Sequence, residues 1–294
     1  MTVTTTSFGT ASGAIVPIDS TPAHDDLPSA RGVLHDAWVI ARRGLIHMKR
    51  QPQALADATI QPIMFVLLFA YVFGGAIDVP GGGSYREFLM GGIFAQTIVF
   101  IAMGVGMSIA FDRTNKAVDR FRALPISQGA VLAGHAIANL VKSLLPITLM
   151  SLCGLLIGWR IRAGLADAVV GYALLIGFAL AMIWVGVLIG SVVSTPEAVQ
   201  GIGFAVMFPI TFVASTFVPT QSMPGVLRTI AEWNPVTTLS NAARIQFGNP
   251  AAAASPGDPW SIAHPVAYSL LWTVAIVAVC APLAMRAYRR SLAD

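Results

Sequence analysis

Charge is scarce in this sequence. Asp, Glu, Lys and Arg make up 11% of its 294 residues, against about 25% in a soluble domain. With 55% apolar residues and a mean hydropathy of +0.72, the chain reads as a polytopic membrane protein. Cysteine is nearly absent as well. Cys153 and Cys280 both fall inside apolar runs, which excludes a disulfide framework, a CxxC pair and metal-ligand spacing, and with them redox chemistry. All fourteen carboxylates fall in loops, tails or span ends. None is placed to titrate within the hydrocarbon, as a proton- or sodium-coupled carrier would usually require.

Chemical motifs are missing too. There is no GxxxxGK[ST] loop, so the chain does not hold ATP phosphates in the P-loop manner. HExxH, GxSxG and zinc-spaced Cys and His clusters are absent, and the five histidines are scattered. Residues 1–30 contain no Lys or Arg and no sustained apolar core, which does not fit a signal peptide. A disordered tail is expected there. The net charge of +4 would suit nucleic acid, but the basic residues cluster beside apolar segments, where they act as topology signals. Nucleic acid is therefore discounted as a partner.

What is present is ordered along the chain. In residues 33–51, Leu34, Trp38, Ala41, Leu45 and Met48 recur at three- and four-residue spacing while Arg43 and Arg50 face away. This predicts an amphipathic helix lying at the membrane interface, with Trp38 at headgroup level and its cations near anionic lipid. A cytosolic helix packed on protein would show the same stripe. Six apolar stretches follow, at 56–77, 88–111, 129–158, 168–193, 198–218 and 265–285, each meeting the roughly 20 residues that a hydrocarbon core requires. Placing both termini, 112–127 and 194–197 on one side puts twelve Lys and Arg there and five on the other, namely Arg86, Arg160, Arg162, Arg228 and Arg244. The excess assigns the termini and the 112–127 loop to the cytoplasm.

That loop, DRTNKAVDRFRALPIS, is the one dense patch of charge between the two ends. Written as a helix it gathers Ala117, Val118, Phe121 and Leu124 on one face, and Pro125 ends it. Its apolar edge suits a groove on a soluble partner, while a solvated basic loop that only fixes topology has the same charge.

Elsewhere polar residues are sparse. If Trp159 anchors the outer end of the third span, His135, Asn139 and Lys142 sit at its inner boundary on one face. They form either a polar relay or substrate contact, or a snorkelling Lys142 with headgroup-facing neighbours. Ser194 and Glu197 fit a capping box at the start of the fifth span. Gly154 with Gly158, and Gly186 with Gly190, have the spacing of close helix contact, within the chain or between copies.

Before the last span, Val226, Leu227, Ile230 and Trp233 form one apolar stripe, Asn234-Pro235 breaks it, and Leu239, Ala242, Ala243 and Phe247 resume it. Two short helices hinged at Asn-Pro predict an external re-entrant or interfacial hairpin over 225–247. The Ala- and Pro-rich stretch 249–259 reads as a flexible link.

The ordered set of an amphipathic helix, six spans, the RFRALPIS loop ending at 120–127, the segment QPIMFVLLFAYVFGGAI at 61–77 and FPITFVASTFVPTQSMPGVLRTIAEWNP at 208–235 resembles an ABC-2-type transporter permease of the daunorubicin-resistance branch. The likeness covers nearly everything after the tail, making 31–294 one permease domain. It implies a half-transporter that pairs with a second permease copy and with separate ATP-binding-cassette ATPase subunits, which bind ATP and Mg; this chain would hold no cofactor or metal. The family's ATPase-docking loop maps to Arg113, Lys116, Asp119, Arg120, Phe121, Arg122, Leu124 and Pro125. In relatives a Glu often opens this loop and a Gly sits midway, where this chain has Asp112 and Lys116-Ala117. Trp233, Asn234 and Pro235 match the centre of the family's re-entrant helices.

The expectation is an all-α permease in the bacterial plasma membrane, not itself an enzyme. It would export a hydrophobic or amphipathic drug, antibiotic or lipid. The alternatives are an ATP-independent secondary carrier or an integral membrane enzyme.

Overall fold

A computed structural model describes residues 52–77, 79, 82–114, 128–251 and 258–291. The tail 1–30 and the helix expected at 33–51 lie outside them. The described residues form helices and no strand: α1 (Pro52–Val72), α2 (Tyr85–Thr114), α3 (Gln128–Ile157), α4 (Leu165–Val192), α5 (Pro196–Val213), a 3-10 turn (Thr220–Ser222), α6 (Gly225–Glu232), α7 (Pro235–Gln246), α8 (Trp260–Ala263) and α9 (Pro265–Ser291).

Five of these are long and apolar enough to cross a membrane: α2, α3 over Ala136–Ile157, α4, α5, and α9 over Pro265–Ala287. Among the described residues, α1 contributes a shorter apolar helix, Ile60–Val72. Helix α2 is the centre of the bundle, packed against α1, α3, α4, α5 and α7, while α4 lies between α2 and α9. The α2–α4 contact is backbone on backbone. A Cβ at Gly186 would overlap the Ala102 carbonyl, and one at Gly190 the Gly106 carbonyl. The Gly186–Gly190 pair is thus an intrachain packing surface.

Local rules fix the ends of the elements. Helix α5 starts one residue later than a Ser194 cap would place it. Thr195 is the N-cap, accepting from the Ala198 N–H at 3.2 Å, because Pro196 suits the first helical position and no donor is lost there. Gly158 serves termination rather than packing. At φ 103° it closes α3 in a Schellman motif, with Trp159 N–H on the Gly154 carbonyl (2.8 Å) and Gly158 N–H on Leu155. Gly248, at φ 68°, closes α7 the same way, with Asn249 N–H on the Arg244 carbonyl at 2.8 Å.

Candidate functional site

The bundle has two ends, each carrying part of the polar chemistry. At the loop end, where α2 runs into residues 115–127, Arg113 turns back on its own chain. Its Nη1 donates to the carbonyls of Ser191 (2.9 Å), Val193 (3.3 Å) and Gly190 (3.4 Å). These are the open acceptors at the C-terminus of α4, where a cation also meets the negative end of the helix dipole. Lys142 is half-buried on α3. Asn139 is half-buried one turn earlier, and the His135 backbone belongs to α3. Lys116, Asp119, Arg120, Phe121, Arg122, Leu124 and Pro125 lie outside the described residues.

At the hairpin end, α6 and α7 meet at Asn234-Pro235 as the sequence predicts. Asn234 caps α7, its Oδ1 accepting from Val236 N–H at 2.8 Å, and its Nδ2 donates to the Ile210 carbonyl at 2.8 Å. Pro235 takes the first helical position. Trp233 is 47% exposed, with the Tyr268 ring edge-on to it and the Tyr268 hydroxyl donating to its carbonyl at 3.2 Å. The two helices differ in kind. The apolar stripe of α6, Val226, Leu227 and Ile230, is exposed, whereas α7 is buried from Val236 to Arg244.

Arg244 is the group that sequence reading missed. Counted among the five outer cations, it is instead 0% exposed. Its Nε donates to the Phe88 carbonyl (2.8 Å), Nη1 to Asn241 Oδ1 (2.9 Å) and Ser215 Oγ (3.1 Å), and Nη2 to the Ser215 carbonyl (2.7 Å). The guanidinium carbon lies 3.6 Å from the centre of the Phe88 ring. Burial pulls this guanidinium down to about 9, which leaves it charged at neutral pH. The signal for its burial was the company it keeps. Thr237, Thr238, Ser240 and Asn241 give α7 a polar face of small uncharged groups, which can be buried by hydrogen bonding.

Around Arg244 the hairpin end is tied together by long-range bonds. Tyr85 donates to the Phe217 carbonyl at 3.0 Å, Thr237 Oγ accepts from Ser215 N–H at 2.9 Å, and Ser261 donates to the Glu232 carbonyl at 2.6 Å. Trp159 is fully buried against Phe94 and Phe247, its Nε1 donating to Asn249 Oδ1 at 2.6 Å. It is therefore no headgroup anchor: the Schellman turn at Gly158 folds it inward. Asn249, bonded at both its side-chain amide and its backbone, belongs to this cluster and not to a flexible link.

Two carboxylates at helix ends are buried here. Glu87 pairs with Arg162 at 2.8 Å and Glu232 with Arg228 at 2.6 Å. Each carboxylate, through its hydrogen bond first and its charge second, raises its arginine above the ordinary range. The arginines are 64% and 42% exposed, so each pair adds little stability.

Helix α1 shares an aromatic ladder with α5 and with the segment that follows it. Phe69 stacks on Phe217 and Phe208 on Phe212, each with centroids 4.1 Å apart, and Phe65 bridges the two pairs. Beside it an open groove of about 400 Å³ runs along α1, lined by Ile60, Gln61, Met64, Phe65 and Leu68. Such a surface contacts apolar ligands through area and ring faces rather than through specific polar groups.

Known proteins are similar to this chain in sequence. A sequence model of the ABC-2 type transporter family matches residues 35–247. The chain is 31% identical over 247 residues to the daunorubicin resistance ABC transporter permease protein DrrB1 of Streptomyces coeruleorubidus, covering 84% of this chain and 83% of that one. It is 25% identical over 265 residues to the probable doxorubicin resistance ABC transporter permease protein DrrC of Mycobacterium tuberculosis H37Rv, covering 90% and 91%. To the putative transport permease ycf38 of Cyanophora paradoxa it is 22% identical over 219 residues, covering 74% and 75%.

Proposed function

The chain belongs to the ABC-2 type transporter family, and from that membership we infer that it is the membrane-spanning half of an exporter whose ATP hydrolysis takes place in a separate subunit. The family match carries this reading, because it runs from 35 to 247 and so takes in helices α1 to α7 together with the 112–127 loop. The protein is a multi-pass membrane permease and not an enzyme.

In this reading α1 completes a sixth span, and the 33–51 helix lies along the cytoplasmic face. The α6–α7 hairpin re-enters the outer leaflet, and both termini face the cytoplasm with the twelve inner cations. Residues 112–127 dock the ATPase, with Phe121 and Leu124 as the apolar contacts. A second permease copy, identical or sister, completes the path. The exposed apolar residues of α1 and α5, among them Met64, Leu68, Val206 and Ile210, supply surface for lipid and for that copy. The drug-resistance relatives and the aromatic ladder beside an open apolar groove support a hydrophobic or amphipathic compound as cargo. ATP binding in the partner would shift the population between closed and releasing states through the inner loop.

Transport in inside-out membrane vesicles holding the chain and its ATPase tests this directly, with doxorubicin and a fluorescent lipid analogue as probes. ATP-dependent accumulation of either one is expected, unaffected by ionophores. Accumulation that persists without ATP and collapses with the ion gradient would mark a secondary carrier.

A further inference from the structure

Arg244 has no carboxylate partner among the described residues, yet it is wholly buried. Burying a charge that is not ion-paired is costly, and here hydrogen bonds to four buried oxygens offset that cost. What the guanidinium adds is direction. Its planar fork fixes three separate pieces of chain in one plane: the Phe88 carbonyl of α2, Ser215 after α5, and Asn241 of α7 itself.

The seat is fitted to it. A Cβ at Gly91 would lie 2.6 Å from Arg244 Cγ, and one at Gly92 would overlap the Thr216 carbonyl. The hairpin is therefore pressed against the backbone of α2 itself.

From that seat at Phe88, α2 continues as one helix to Thr114, a length of about 39 Å at 1.5 Å per residue. Along the way its backbone touches α4 at Ala102 and Gly106, which opposes sliding and bending. At the far end Arg113, the second residue of the 112–127 loop, binds the α4 terminus.

We propose that Arg244 is a positioning residue for transport: it makes the α6–α7 hairpin one rigid body with α2, so that displacement of the 112–127 loop at one end moves the hairpin at the other. This rests on the reading that the loop receives the ATPase. It predicts that loosening the seat separates hydrolysis from transport.

The experiment compares wild type, Arg244→Met, Arg244→Lys and the milder Asn241→Ala in the reconstituted permease–ATPase complex. ATP hydrolysis, probe transport and ATP-dependent hydrogen exchange of residues 225–247 are measured together. In Arg244→Met, hydrolysis is expected to stay within about twofold of wild type while transport falls about tenfold or more. The hairpin should also lose its ATP-dependent exchange change. Arg244→Lys, with charge but no fork, falls between. If Arg244→Met does not fold, Asn241→Ala decides, with a smaller drop of the same kind.

Hydrolysis and transport falling in parallel would reduce Arg244 to a structural role and overturn the proposal. So would unchanged transport in the folded variants. A wild-type complex that transports without ATP would instead defeat the permease reading itself.

Discussion

Arg244 holds Phe88 twice: its Nε donates to the Phe88 carbonyl at 2.8 Å, and its guanidinium lies 3.6 Å over the Phe88 ring. The two residues are 156 positions apart, one near the start of α2 and one near the end of α7. Their contact converts a short amphipathic hairpin into a fixture on the central helix. The stability and the proposed movement of the hairpin end both follow from that fixture.

The glycines of α2 and α4 should divide sharply by position. Gly92→Ala and Gly186→Ala each place a methyl against a backbone carbonyl that cannot step aside, and each is expected to cost about 1–3 kcal/mol. Gly104→Ala, with open space at its Cβ, should be neutral or gain about 0.5–1 kcal/mol from helix propensity. Thermal unfolding of the three variants in one detergent checks the order. Equal losses would contradict the backbone contacts.

The Trp159–Asn249 bond offers a second check. Both residues follow the glycine of a Schellman turn, and Trp159→Phe keeps the ring packing while leaving Asn249 Oδ1 without its donor. A buried acceptor left unmade costs about 1–3 kcal/mol. Because a headgroup anchor would lose little on this change, a melting temperature like that of wild type would restore the interfacial role for Trp159.

These contacts show where the sequence was legible and where it was not. The stretches 88–111, 168–193, 198–218 and 265–285 announced helices because apolar runs of that length have few other structures open to them. Asn234-Pro235 announced the hinge because cap and first-turn preferences are local. The role of Trp159 was misread and the burial of Arg244 was missed for one shared reason. Each belongs by type to a membrane interface, and each is buried by a partner far along the chain, Asn249 for one and Phe88 for the other. Nothing within a helical window of 159 or 244 names that partner. The Ser194 reading failed more locally, since the preference of Pro196 for the first helical position moved the cap to Thr195. The loop residues from Lys116 to Pro125 are assigned from family likeness alone.

Arg113 should act mainly on its own chain. Arg113→Ala removes the one side chain seen on the Gly190, Ser191 and Val193 carbonyls, at a cost of about 1 kcal/mol. Arg113→Lys should recover part of that through the helix dipole. Hydrogen exchange at residues 190–196 reads the effect. Unchanged protection there in Arg113→Ala would show that the contact does not hold the α4–α5 turn.

The most direct measurement is purification of the tagged protein from its native membranes in mild detergent, followed by identification of what accompanies it. If the chain is a permease driven through its inner loop, a soluble P-loop ATPase comes with the wild type and is lost with Phe121→Asp, while the variant keeps its melting temperature. A wild-type preparation with no ATPase under any gentle condition, or one that retains it equally in folded Phe121→Asp, would contradict that mechanism.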